Sequence, residues 1–426
     1  MGAKKKAAII FISVVVNYLV IEYFVWRPLL EYIPVPLQSE LGRLAPLAQS
    51  SKNGIVPKDY LLLIGDSYAE GHGDWLMRTI GELRPKYHTA HVIHDRSGRD
   101  VLSFGYRGGY PGHSFTFETT QTYHGLEQYA FLGLEPPKDV LVYYSEPSDV
   151  NDEMISAKIW LAPSTDLTQL DDMAKVRALV DARGRDGLVS IEKRWNVFRN
   201  AHMFDTFTKL VKLMVKNISH GNALLTPADR GFAHGHAYRP NWSSYESSPV
   251  RILWHKGELP YPKQTLEPFA FSTADEIRYS TNIFEAALGY LRSYFPKSNL
   301  WVAYIPSPLS IYRFQDKSLE LRDRIRFPTH ELLGPVTKFS VGQLRTQSDR
   351  LCNAVLGAST RAGARFIDTR AYLRDKSWEL GYLHGPTDSG HLNQAGYIAL
   401  AERLMQGLAA GGDKDCARLQ NAADGK

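Results

Sequence analysis

The feature that most constrains this chain is an alternation of short apolar runs with longer stretches of helical periodicity. The runs are YLLLI (60–64), HVIH (91–94), DVLVYY (139–144), LWVAYI (300–305) and RFID (365–368). They are rich in β-branched and aromatic residues and too short for helices, so they read as buried strands. Amphipathic stretches at Trp75–Leu83, Thr122–Leu132, Asp275–Tyr294, Gly342–Ala362 and Gln394–Leu408 lie between or after them. This pattern predicts an α/β fold, a three-layer α/β/α sandwich with helices on both faces of a five-stranded, mainly parallel sheet. Ligands in such sheets bind beyond the carboxyl ends of the strands. The residues just after each strand are therefore where chemistry is sought.

One interval breaks the rhythm. Residues 153–274 separate the third and fourth runs by far more than a crossover needs. They contain a helical pattern at 191–216 and an aromatic, polar loop at 232–249, and read as an inserted cap or subdomain. The main domain then spans 58–410, with a tail at 411–426.

Upstream of it, Lys4, Lys5 and Lys6 precede AAIIFISVVVNYLVIEYFVW (7–26), about the twenty residues that cross a bilayer. Trp26, Arg27 and Pro28 follow where a cleaved signal peptide would carry small residues, so the segment reads as an uncleaved anchor. The lysines set its tip in the cytoplasm and the main domain in a periplasm or other extracytoplasmic space. Residues 1–27 are then tip and transmembrane anchor, and the Pro-, Leu- and Ser-rich 28–57 a linker. The formal charge of +5 owes part of its value to the lysine cluster, which leaves no nucleic-acid footprint. Cys352 and Cys416 are the only cysteines. An exported chain permits a bridge between them, but sequence separation alone leaves bridge and free thiols equally open. Their spacing does not suggest zinc.

Ser67 follows the first run by three residues, in LLLIGDSYAEGHGD (61–74). A serine nucleophile needs a base, and the base needs an orienting group. Both are offered by GPTDSGHLNQAG (385–396), where Asp388 and His391 stand three apart ahead of a helix. After the third run, SEPSDVNDE carries Asn151, whose amide can donate to an oxyanion; Gly98, after HVIH, can offer a backbone N–H. His88, His91 and His94 recur every third residue, but a strand would send them to alternate faces, so they are not read as metal ligands.

These blocks resemble those of the SGNH, or GDSL-like, hydrolase superfamily: Gly65-Asp66-Ser67, Gly98, Asn151-Asp152 and Asp388-x-x-His391. The chain departs from the pattern at Tyr68, where leucine is usual, and at Asp149, which takes the place of a glycine. The resemblance implies a flavodoxin-like sheet and a Ser67–His391–Asp388 triad. It also implies an oxyanion hole formed by Ser67 N–H, Gly98 N–H and Asn151, with no metal or organic cofactor. VAYIPSPLSIYR (302–313) is similar to a segment of membrane-associated relatives that act in exopolysaccharide O-acetylation. The function expected is a membrane-anchored serine esterase or O-acyltransferase acting on ester, mainly O-acetyl, groups of a carbohydrate, with a membrane acyltransferase as a partner. The alternatives are a lipid or acyl-thioester hydrolase with the same triad, and a non-catalytic scaffold of an envelope polysaccharide assembly.

Overall fold

A strand buried on both faces needs apolar side chains at every position rather than at alternate ones. Leu61, Leu62, Leu63 and Ile64 meet that demand, and none retains accessible surface. They form β1 (Leu61–Gly65), and β2 (Val101–Gly105) and β3 (Asp139–Ser145) pair with it in parallel on either side. Full burial of one such aliphatic side chain contributes roughly 1.5–3 kcal/mol.

The structure is a computed structural model that describes residues 3–21, 25, 45–54, 56–73, 86–106, 109, 111–127, 130, 133–160, 166–192, 208, 211–212, 215, 248–262, 264–266, 268–326, 331–385, 388 and 390–419. In chain order the remaining strands are β4 (Arg251–Trp254), β5 (Gly257–Pro260), β6 (Gln264–Leu266), β7 (Asn299–Ile305), β8 (Arg313–Phe314), β9 (Ser318–Arg326), β10 (Glu331–Ser340) and β11 (Arg365–Asp368). The central sheet has the order β11-β7-β3-β1-β2 and every pairing in it is parallel. Numbered among themselves, its strands run 2-1-3-4-5, the order of a flavodoxin-like doubly wound sheet. The winding reverses between β1 and β3. That reversal opens a crevice at their carboxyl ends.

Two groups of helices flank the sheet. Ala274–Tyr294 packs with Asp149–Trp160, Met173–Glu192 and Val341–Arg361. The second group joins Thr89–Ser97, Arg370–Leu380 and Gln394–Ala410. Ala274–Tyr294 and Val341–Arg361 both begin with reciprocal capping boxes, Thr273 with Glu276 and Ser340 with Gln343. Each box satisfies donors that the first helical turn leaves unpaired.

The second predicted strand is wrong. HVIH lies inside the helix Thr89–Ser97, and the second strand is VLSFG, ten residues later. The insertion, in its described parts, joins the main domain. Its first part carries the helix Met173–Glu192 onto the flank of the sandwich. Its end supplies β4, β5 and β6, which join strands arriving after β7. One side sheet has the order β5-β4-β8 and the other β10-β9-β6. Nearly all of the predicted 191–216 helix and 232–249 loop, and all of the Trp75–Leu83 helix, lie outside the described residues.

At the amino end, Ala3–Val20 is a helix whose Ile9, Ile10, Phe11, Ile12, Val14 and Val16 are exposed. Among the described residues no helix is long and apolar enough to cross a membrane. Three of this helix's eighteen residues are Lys4, Lys5 and Lys6. The predicted span continues to Trp26, through positions outside the described residues.

Cys352 and Cys416 are paired, with 6.2 Å between their Cα atoms. The bond fastens the end of the chain to the helix Val341–Arg361. Backbone contacts add to it: Asp413 N–H donates to Phe366 O at 2.6 Å, and Ala417 N–H to Asp368 Oδ2 at 2.8 Å. Residues 411–419 thus belong to the folded domain. Closing a loop of 64 residues limits the unfolded chain by about 4 kcal/mol. Cys352→Ser/Cys416→Ser should therefore unfold at lower urea concentration than the oxidised parent. Identical urea midpoints with and without reductant would overturn the pairing.

Candidate active site

The site begins where β1 runs out of apolar residues. Asp66 caps the short helix Ser67–Glu70, its Oδ1 accepting from Tyr68 N–H at 2.9 Å. Gly71, at φ 81°, turns the chain out of the helix, and His72 N–H donates to Ser67 O at 2.8 Å. This helix presses against the end of β2. A Cβ on Gly105 would stand 1.9 Å from the Glu70 nitrogen, so only glycine permits the approach.

Ser67 Oγ lies 2.8 Å from His391 Nε2. On the far side of the ring, Nδ1 lies 2.6 Å from Asp388 Oδ2, while Asp388 Oδ1 accepts from Gly390 N–H at 3.1 Å. A carboxylate on Nδ1 fixes the tautomer that leaves Nε2 to accept from the serine. The loop bearing this pair is pinned at its exit. Asn393 N–H donates to Leu383 O at 2.8 Å, and its Oδ1 caps the helix Gln394–Ala410 through Gly396 N–H. Tyr68 reaches across from the serine's helix, its hydroxyl donating to Gly390 O at 2.5 Å. The departure from leucine at this position thus ties the two parts of the site together.

Burial disfavours the His391 imidazolium. The charge and hydrogen bond of Asp388, with the charges of Asp66 and Glu70, outweigh it and raise the His391 pKa above its ordinary 6.5. Burial likewise opposes ionisation of Asp388, but the charge and hydrogen bond of His391 bring it down to about 2. The pair is therefore an ionised carboxylate beside an imidazole of enhanced basicity.

Asn151 sits in the first turn of the helix Asp149–Trp160, after β3 and across the switch point from Ser67. Its Nδ2 is buried and has no hydrogen-bond partner among the described residues. A buried donor without a partner costs stability unless something is bound to it. Gly98 is not with them. It ends the helix Thr89–Ser97 at φ 69°, with its N–H donated to His94 O at 2.8 Å. Because the true β2 starts after it, Gly98 lies at the opposite edge of the sheet from Ser67. The loop that does follow β2 starts at Tyr106. Of its described N–H groups, that of Tyr106 donates to Gly65 O and that of Gly109 to Tyr106 O.

Several groups escaped sequence reasoning. His72 packs edge-on to His391 with 4.8 Å between ring centroids, and its Nε2 is 4.0 Å from Asp388 Oδ2. Behind the serine lie buried acids: Asp66, Asp149, Asp152 and Glu153. Asp149 Oδ2 accepts from Ser145 N–H at 2.7 Å, and burial followed by the charge of Asp66 holds its carboxyl well above the ordinary range. Glu153 Oε2 accepts from Gly112 N–H at 2.9 Å, and burial pushes its pKa up to about 8. Asp66 is pushed up to about 6, mainly by burial. The three histidines at 88, 91 and 94 serve separate partners: the Glu70 carbonyl, the Ser50 hydroxyl and the Arg99 carbonyl.

Comparison of the chain with protein-family models, curated proteins and solved structures finds no match.

Glu153 gives a test of this electrostatic picture. Its proton is held in the folded state up to about pH 8 but is lost near pH 4.5 in the unfolded chain, so stability falls as pH rises through that window. Glu153→Gln should raise Tm relative to the parent at pH 8, with the difference shrinking toward pH 5. A difference that is constant with pH would contradict a protonated Glu153.

Proposed function

We propose that the chain is a serine hydrolase of SGNH type, an esterase or O-acyltransferase, with Ser67 as nucleophile. The observation that carries this reading is the hydrogen-bond chain from Ser67 Oγ to His391 Nε2 and from His391 Nδ1 to Asp388 Oδ2, at 2.8 and 2.6 Å. The flavodoxin-like strand order and the position of Ser67 at the switch point agree with it.

The reaction is acyl transfer. Ser67 Oγ attacks an ester carbonyl while His391 Nε2 takes its proton, and Asp388 stabilises the imidazolium that results. Asn151 Nδ2 and Ser67 N–H donate to the oxyanion. Gly98 has no part in this hole. His391 then protonates the departing alcohol, leaving an acyl group on Ser67. Water as second acceptor gives an esterase, and a sugar hydroxyl gives an acyltransferase.

The proposed substrate is an O-acylated carbohydrate outside the cytoplasm. The apolar N-terminal helix with its lysines supports anchoring, and the Cys352–Cys416 bond suits an oxidising compartment. The similarity of residues 302–313 to proteins of exopolysaccharide O-acetylation supports the acetyl group.

A fluorophosphonate probe should label the protein on Ser67, with labelling abolished in Ser67→Ala and slowed at least about 10³-fold in His391→Ala. Folded protein that resists the probe would favour the non-catalytic scaffold. The base must be neutral to act, so the labelling rate should fall as pH drops through the His391 pKa. The midpoint should lie above 6.5 and move to lower pH in Asp388→Asn. A parent midpoint at or below 6.5 would remove Asp388 from its role.

A further inference from the structure

His72 plays no part in the acyl transfer, yet the fold holds it firmly against the groups that do. Its N–H donates to Ser67 O at 2.8 Å, and its carbonyl accepts from the Tyr397 hydroxyl at 2.5 Å. The next residue, Gly73, passes so close to the His391 loop that a Cβ there would stand 2.6 Å from Leu392 O. The imidazole is thereby fixed with Nε2 4.0 Å from Asp388 Oδ2. Ligand atoms from His72, Asp388 and His391 all fall within 4.8 Å of one another.

We propose that His72, Asp388 and His391 form a binding site for a divalent transition ion of the zinc type, and that occupancy switches the serine off. Two imidazoles and a carboxylate are a donor set that such an ion accepts, with water in the fourth position. Bond lengths near 2.0–2.1 Å set tetrahedral ligand atoms about 3.3 Å apart. His72 must approach Asp388 slightly, and His391 Nδ1 must spread from its present 2.6 Å. Both are sub-ångström movements, and His72 and His391, whose ligand atoms lie within 4.8 Å of one another, must close as well. The three side chains are 25, 30 and 23% exposed, so the ion reaches them from solvent.

Inhibition follows from tautomer chemistry. The neutral His391 carries its proton on Nδ1, donated to Asp388, and accepts from Ser67 at Nε2. Metal binding at Nδ1 displaces that proton to Nε2, so no net proton is released from the ring. Nε2 then donates to Ser67 Oγ and can no longer accept its proton. Asp388 is meanwhile drawn to the cation. The site therefore exists only when the triad is disassembled, and the effect on catalysis rests on the acyl-transfer reading given above.

The binding and its consequence are tested separately. Zn²⁺ titrated calorimetrically into the full chain should bind one ion, and His72→Ala should weaken this at least about 100-fold. Co²⁺ should give the visible absorption of a four-coordinate ion in the parent and lose it in His72→Gln, with circular dichroism showing both variants folded. The ratio of fluorophosphonate labelling rates without and with Zn²⁺ should exceed tenfold in the parent and approach one in His72→Ala. Equal Zn²⁺ affinity in parent and His72→Ala, or six-coordinate Co²⁺ spectra, would overturn the site. Ion binding lost with His72 but accompanied by no labelling of the metal-free parent would uphold the site and refute the hydrolase reading. Binding that depends on His72 but leaves labelling unchanged would refute the switch.

Discussion

All five strands of the central sheet point the same way, and the rest of the molecule follows from that. A parallel sheet needs crossovers, so its faces are covered by helices and its interior positions must be apolar throughout. It also places every strand's carboxyl end on one edge. The loops after β1 and β3 and the loop before the last helix converge there, although Ser67 and His391 are 324 positions apart. Gly98, by contrast, enters a strand rather than leaving one, and the same directionality removes it from the site.

Convergence alone does not set a hydrogen bond. Three contacts fix the remaining freedom between the serine's helix and the histidine's loop: Tyr68 to Gly390, Tyr397 to His72, and the Glu70 backbone against Gly105. Each runs from the Ser67 segment to a different element. The short helix is held from the sheet side by Gly105 and from the loop side by two tyrosine hydroxyls. Hydroxyl-to-carbonyl bonds of this kind constrain distance and direction together.

The parts of the site that were legible in sequence are those whose signal is local. LLLI ends at a Gly-Asp-Ser turn, and Asp388 and His391 share one loop. The second strand was misread because both candidates are buried. Thr89, Ala90, His91, Val92 and Ile93 are all inaccessible, so the first part of this helix shows no polar face and HVIH reads as a core strand. The real strand, VLSFG, is interrupted by Ser103, whose hydroxyl is satisfied by the Ala69 carbonyl after folding. β9 carried a fair signal, since SLELRDRIR alternates along much of its length. Its neighbour β6 pairs with it across more than fifty residues, and such partners are not visible in either segment alone. His72 had no signal at all. Its importance lies in an approach to Asp388 that only the tertiary structure creates.

The crowd of carboxyl groups around one imidazole has a further consequence. Were Asp66, Asp149, Asp152, Glu153 and Asp388 all ionised, their potential would oppose any negative charge growing on a substrate oxygen beside Asn151. Burial opposes this by raising the Asp149 and Asp66 pKa values, and it keeps Glu153, pushed up to about 8, neutral near pH 7. Burial opposes ionisation of Asp388 too, but the charge and hydrogen bond of His391 hold it as the carboxylate. The Asp388 charge thus lies on the side of the ring away from Ser67. That placement is what the proposed reaction requires of Asp388: anionic stabilisation for the imidazolium, on the far side of the ring from the serine.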